Sequence, residues 1–151
     1  ELAVVIGVGN PNIIKKVTVN LTQNENLIFP NLIAPNVIGD WSKISLGEGN
    51  VICSGNIFTT DIKIGSFNVF NLNCTLGHDA LIGNYNVVNP GVNLSGGVQI
   101  GDCNLFGTNS TILQYVKIAE DIVVGAGAVV TKYLLERGIY VGMPAKKKET
   151  K

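Results

Sequence analysis

The sequence predicts an all-β fold, a parallel β-helix wound from six-residue repeats, with a short strand–helix unit in front of it. Three observations predict it. Every sixth residue from Leu46 to Val130 is apolar without a break: Leu46, Ile52, Phe58, Ile64, Phe70, Leu76, Ile82, Val88, Leu94, Ile100, Phe106, Ile112, Ile118, Val124 and Val130. Neither an α-helix nor a hairpin sheet repeats at six, whereas a hexapeptide β-helix does. Positions eighteen apart also form coherent columns: Gly47, Gly65, Gly83 and Gly101 followed by Ala119, and Asn50, Asn68, Asn86 and Asn104. Finally, no insertion interrupts the repeat between residues 46 and 131.

The elements follow in order. Leu2–Ile6 is an apolar run that reads as a short buried strand. Gly7–Val8–Gly9–Asn10–Pro11 then turns the chain. Asn10 suits a helix cap and Pro11 the first helical position, so a helix is expected over about 11–20. The glycines do not complete GxGxxG, so no dinucleotide site is read here. A lone strand–helix unit cannot bury both faces of its strand. Residues 1–30 are therefore expected to be the remnant of an α/β domain whose earlier part is absent. Residues 31–45 enter the repeat with a slip: Ile38–Gly39 matches, and two extra residues precede Leu46–Gly47. The β-helix is assigned to residues 31–131 and a C-terminal tail to 132–151. In the tail, Tyr133–Arg137 reads as a turn or short helix and Gly138–Ala145 as a terminal strand.

Three hexads make an eighteen-residue coil of triangular section, and residues eighteen apart stack about 4.8 Å above one another. Glycine suits the corners because it accepts φ > 0. Asn tolerates the same region, and stacked amides can form a ladder. The residue before each interior position points outward. On one face this column is Val51, Val69, Val87, Leu105 and Val123; on another it is Ser45, Lys63, Leu81, Gln99 and Lys117. The aliphatic stripe predicts a partner surface, with self-association into a closed ring as the expected form. Cover by the N-terminal segment or the tail is the other reading.

Composition bounds the function. The chain has 151 residues, zero formal net charge and 46% apolar content, enough for one domain with a core. No basic excess favours a nucleic-acid or membrane-surface role. No apolar run approaches the roughly 20 residues that span a bilayer. Lys146, Lys147 and Lys148 form the only local excess, either a solvated tail or a contact with an anionic cofactor. Cys53, Cys74 and Cys103 are unevenly spaced, without CxxC, and read as free thiols of a cytoplasmic protein.

His78 is the only histidine. It sits in Gly77–His78–Asp79, near a corner, and one coil above it is Gly96. The space over the imidazole thus lacks a side chain, and a backbone N–H is expected to be exposed there. A titratable base beside a bare donor suits acyl transfer: the base takes a proton from an attacking amine or hydroxyl, and the donor stabilises the oxyanion. A polar corner residue with no further role is the plainer reading. Asp79 is the natural orienting carboxylate, but adjacent residues in a strand point to opposite sides, so the contact needs a bend. Asp61 stacks one coil below Asp79, and at least one of the two must face solvent. Asn71 lies at the edge of the striped face, either as a ligand contact or as an ordinary corner residue. Cys74 falls at an interior position and reads as core packing.

At this point the chain resembles the bacterial sialic-acid O-acetyltransferase and UDP-4-amino-sugar N-acetyltransferase family, the NeuD/PglD-like hexapeptide-repeat enzymes, over their C-terminal part. The segments that carry the resemblance are Gly77–Gly83, Ser95–Gly101, Gly107–Ser110, Val124–Val130 and Val141–Lys146, with Ile6–Asn10 resembling the end of a nucleotide-sugar-binding domain. The resemblance implies a left-handed winding, an exception to the right-handed crossover rule. It implies acetyl-CoA as the donor, a small-molecule sugar acceptor and a homotrimer with one cofactor between each pair of prisms. It implies His78 as the base, Asp79 as its acidic partner, Asn71 as a substrate contact and Gly96 as the amide facing the thioester. Gly107, Thr108, Gly125 and Ala126 would follow the pantetheine arm, and Met143, Pro144 and Ala145 the adenine. The chain departs from the family pattern at Val87, where many members carry a second histidine, and at Ala34–Pro35, where many have His-Pro.

Two other classes are weighed. One is a non-catalytic β-helix that serves as a trimerisation or scaffold module; the other is a small-molecule acetyltransferase of the serine-acetyltransferase type. A γ-class carbonic anhydrase shares the fold but needs three metal-binding histidines, which one histidine excludes.

Overall fold

The computed structural model describes residues 1–149. The chain is a left-handed parallel β-helix of about six turns, preceded by a small strand–helix–strand unit. Its strands are two to four residues long and fall into three faces. Face 1 holds Ile44–Leu46, Ile62–Ile64, Leu81–Ile82, Gln99–Ile100 and Lys117–Ile118. Face 2 begins with Leu32–Ile33 and Val51–Ile52, continues upward every eighteen residues to Ile122–Val124, and ends with Gly138–Val141 and the antiparallel Lys146–Lys147. Face 3 runs from Ile57–Phe58 through Thr75–Leu76, Asn93–Leu94 and Thr111–Ile112 to Val129–Val130. Between Ile44 and Val130 neighbours pair in parallel at a register of eighteen, Val87 with Val69 and Leu105 for example; at the ends the offset changes, to nineteen where Leu32 pairs with Val51 and to sixteen where Ile122 pairs with Gly138.

Of the fifteen periodic residues, all but the first, Leu46, are buried, and they fill the prism with three phenylalanines, Phe58, Phe70 and Phe106, among its largest side chains. The asparagine column is a buried ladder. Asn68 donates from its backbone N–H and from Nδ2 to Asn50 Oδ1, at 2.9 and 3.0 Å, and from Nδ2 to Gly83 O at 2.9 Å. Asn86 repeats this on Asn68, and the ladder ends where Asn104 Oδ1 accepts from Ile122 N–H. Each amide thus satisfies backbone groups that a tight corner leaves unpaired.

The glycine column has a different cause from the one expected. Gly47, Gly65, Gly83 and Gly101 do not adopt positive φ. They are glycines because the coils approach closely there: a Cβ on Gly47 would lie 2.7 Å from the Gly65 carbonyl carbon. Positive φ falls two residues later, at Gly49, Phe67, Tyr85, Cys103 and Asp121.

In the N-terminal unit, β1 (Leu2–Ala3) is followed by α1 (Pro11–Leu21) and β2 (Leu27–Ile28), which pairs in parallel with β1. Asn10 caps α1 by accepting from Asn12 N–H and Ile13 N–H. The expected buried strand over Leu2–Ile6 is shorter and mostly exposed; only Ile6 is buried, because β1 has a single neighbour strand. α1 buries Pro11, Ile14 and Thr18. Ile6, Ile14, Phe29, Phe67 and Val87 form a second core, with Val69 and Tyr85 packed against it. The aliphatic stripe on face 2 is therefore covered in its middle by the chain's own N-terminal unit, with Val87 fully buried. This corrects the expectation of a free partner surface on that face.

In the tail, Leu134 bridges to Ile118, Gly138–Val141 extends face 2, and Lys146–Lys147 pairs antiparallel with it. The terminal strand thus stops at Val141 instead of running to Ala145. The lysine cluster is not a frayed tail: Lys147 Nζ meets Glu136 Oε2 at 2.9 Å, which holds the exposed Glu136 carboxyl below its usual range. No helix among the described residues is long and apolar enough to cross a membrane.

Candidate active site

His78 stands where face 3 turns into face 1. Gly77 crosses the coil above so closely that a Cβ there would lie 2.7 Å from the Ser95 carbonyl carbon. The next corner residue, Asp79, takes φ of 57°. That bend swings its carboxylate back: His78 Nδ1 lies 2.8 Å from Asp79 Oδ2. A carboxylate only accepts, so in the neutral ring the proton sits on Nδ1 and Nε2 has the lone pair. Both side chains are open to solvent, 47% and 66% exposed. Asp61, one coil below, is also exposed.

The imidazole lies over Gly96. A Cβ on Gly96 would sit 2.6 Å from His78 Nε2, so only glycine leaves the ring its place. Gly96 is buried, yet its N–H meets no acceptor among the described residues. The corner between faces 1 and 2 differs. There the equivalent N–H groups of Glu48, Ser66 and Asn84 are capped by Ser66 Oγ, Asn84 Oδ1 and Asp102 Oδ1. The base thus sits beside an uncapped backbone donor.

A second group occupies the corner between faces 2 and 3. Asn71 donates from Nδ2 to Asn89 Oδ1 at 3.3 Å. Above this pair stand Gly107 and Gly125, where a Cβ on Gly107 would lie 2.7 Å from the Gly125 carbonyl carbon. Thr108 and Ala126 are exposed beside them, and Thr108 O accepts from Gly127 N–H at 2.9 Å. The turn with Met143, Pro144 and Ala145 caps this corner: Gly142 O accepts from Val129 N–H, and Ala145 N–H donates to Val129 O. Asn71 also lines a cleft of about 240 Å³ with Gly7, Val8, Gly9, Val51 and Cys53.

The structure brings His78, Asp79 and Gly96 together at one edge of face 3. Asn71, Gly107, Thr108, Gly125, Ala126 and the 143–145 turn gather at the other. One chain does not bring the two groups together: His78 and Asn71 lie at opposite ends of the strand Thr75–Leu76. Sequence reasoning did not single out Asn89, for which adding eighteen to Asn71 was the available signal, and it read the Gly7–Gly9 loop as a turn without placing it beside Asn71. A groove of about 440 Å³ on face 1 around Leu81 and Gln99 contains no member of either group. Cys74 is buried, and burial pushes its thiol pKa up, which keeps it protonated and unsuited to nucleophilic attack. Among the described residues no set of His, Cys, Asp and Glu side chains could hold a metal ion.

No family model and no curated sequence matches the chain. Solved structures do. PerB from Caulobacter crescentus, in complex with CoA and GDP-perosamine, shares 26% identity at a TM-score of 0.93, over 97% of this chain and 70% of PerB. Two further structures of that N-acetyltransferase, again with CoA and GDP-perosamine, carry substitutions of one histidine. The acetyltransferase domain of PglB from Neisseria gonorrhoeae FA1090, in complex with acetyl coenzyme A, shares 26% identity at 0.91, over 95% of this chain and 69% of that one. WeeI from Acinetobacter baumannii AYE shares 32% identity at 0.89, over 97% of this chain and 70% of WeeI.

Proposed function

This chain belongs to the NeuD/PglD-like hexapeptide-repeat sugar acetyltransferases, and on that premise we propose that it moves the acetyl group of acetyl-CoA to an amine or hydroxyl of a nucleotide sugar. The observation that carries this reading is the His78–Asp79 contact at 2.8 Å with Nε2 held over Gly96. His78 Nε2 takes the proton as the acceptor atom attacks the thioester carbon. Asp79 holds the ring and stabilises the imidazolium. The Gly96 N–H meets the oxyanion of the tetrahedral intermediate. When the C–S bond breaks, the imidazolium returns its proton to the thiolate. The acetyl-CoA-bound and CoA-bound relatives support the donor, and GDP-perosamine bound to PerB supports a nucleotide-sugar acceptor.

The separation of the two groups supports a homotrimer. Face 2 is partly covered by α1, and the outward column of face 1 carries Lys63 and Lys117. The outward column of face 3 is uncharged: Ile57, Thr75, Asn93, Thr111 and Val129. With face 3 turned to a threefold axis, the His78 corner of one copy meets the Asn71–Gly107–Gly125 corner of the next. The pantetheine arm then passes Gly107, Thr108, Gly125 and Ala126, with the adenine near Met143, Pro144 and Ala145. The acceptor enters the cleft between Asn71 and the Gly7–Gly9 loop. Residues 1–30 are read as the end of a nucleotide-sugar-binding domain. The three free thiols fit a reducing, cytoplasmic compartment.

His78→Ala should lower turnover by about 10²–10⁴-fold in an acetyl-CoA assay with amino-sugar nucleotides as acceptors. Full turnover by that variant would mean that another group is the base. A scaffold module, the competing reading, predicts that the wild-type protein binds no acetyl-CoA at all.

A further inference from the structure

The corner between faces 2 and 3 carries one column that reads upward as Cys53, Asn71, Asn89, Gly107 and Gly125. The backbones of its two asparagines are held firmly. Asn71 N–H donates to Val88 O at 2.8 Å, Asn71 O accepts from Asn56 Nδ2 at 2.7 Å, and Asn89 N–H donates to Phe106 O at 3.0 Å. Their side chains behave unlike those of the buried ladder, where each amide also bonds a backbone group, as Asn68 Nδ2 does with Gly83 O. Among the described residues, the side chains of Asn71 and Asn89 bond only to each other, Nδ2 of Asn71 to Oδ1 of Asn89 at 3.3 Å. The pair satisfies no backbone group, so the winding of the coil does not depend on it.

An amide carries a donor at one end and an acceptor at the other, and its neighbours decide which end faces a ligand. Below Asn71 stands a thiol, a weak hydrogen-bond partner, and above Asn89 stands a glycine with no side chain. Within the column only Asn89 can therefore turn the Asn71 amide. Its Oδ1 draws Nδ2 upward, and Asn71 Oδ1 is left without a partner beside the cleft of about 240 Å³. The other side chains around that cleft are aliphatic or a thiol, so this oxygen is its strongest side-chain acceptor. Asn89 itself does not line the cleft.

We propose that Asn89 is a positioning residue for acceptor selection: it fixes the Asn71 amide so that Oδ1 accepts a hydrogen bond from an N–H or O–H group of the sugar. This rests on the acetyltransferase reading above and on Asn71 as the acceptor contact. The test is steady-state kinetics of the full chain with acetyl-CoA and amino-sugar nucleotides, GDP-perosamine among them, followed on the one that wild type acetylates fastest. Asn89→Leu keeps the volume and removes the bond; it should raise the acceptor KM about five- to tenfold and leave kcat and the acetyl-CoA KM within about twofold. Asn89→Asp still offers an oxygen to Nδ2 and should restore the wild-type KM. In an Asn71→Ala background Asn89→Leu should add nothing, because Asn89 acts only through Asn71. An Asn89→Asp variant as impaired as Asn89→Leu, an equal rise in both KM values, or additive losses in the double variant overturns the proposal. Asn71→Ala with the wild-type acceptor KM overturns the acceptor contact, and wild-type protein that acetylates no amino-sugar nucleotide overturns the acetyltransferase reading; this assignment falls with either.

Discussion

Gly96 has no side chain, and His78 uses the space. The imidazole rests over the glycine with Asp79 on its far nitrogen, so one methyl group is enough to disturb the site. Gly96 does not need positive φ, and alanine fits its backbone. The new Cβ would nevertheless sit 2.6 Å from Nε2, and the half-exposed ring can swing away into solvent. Gly96→Ala should therefore lower acetyl transfer at least about tenfold, by displacing a base that supplies about 10²–10⁴. The thermal midpoint should stay within a few degrees of wild type. A variant with wild-type turnover would show that the ring over Gly96 is not the reacting arrangement. The adjacency of His78 and Gly96 was legible from the sequence, because a fixed coil length turns addition into proximity. The reason for the corner glycines was not. Close approach and positive φ both select glycine, and the sequence does not separate them. Bulky Phe67 and Tyr85 hold the left-handed positions that glycine was expected to fill.

At the scale of the element, the asparagine ladder and α1 hold the edge of face 2 in different ways. Asn68 accepts from Asn86 N–H and Nδ2 and donates to Asn50 and Gly83. Asn68→Ala removes these bonds and strands buried polar groups in both neighbouring coils, at a cost of about 2–4 kcal/mol. The urea midpoint reads this directly; an unchanged midpoint would mean that water or backbone shifts replace the amide. The ladder was legible in sequence, since identical residues at period eighteen must stack. The cover over Val87 was not. An outward aliphatic column looks the same whether a helix of the same chain or a second copy lies on it. The missed signal was on the other partner: Ile14, Val17 and Leu21 form an apolar stripe on α1 at helical spacing, and that stripe required a surface to bury it. With α1 on face 2, the interface of the proposed trimer falls elsewhere on the prism.

For the whole molecule, the trimer proposed above has face 3 as the side that meets another copy. Thr111→Arg places a charge in the middle of its uncharged outer column, whereas Gln99→Arg adds the same charge to face 1, which already carries two lysines. Sedimentation should find a trimer for wild type and Gln99→Arg, and a monomer for Thr111→Arg, with acetyl transfer lost only in the last. A trimer that survives Thr111→Arg would move the interface off face 3. The unbroken eighteen-residue register has one more consequence. Heights along the prism come only in whole strand spacings, so the edge works as a graduated ruler on which the base marks one rung. A substrate with a shorter or longer arm could be matched only by deleting or inserting an entire rung, never by adjusting a loop.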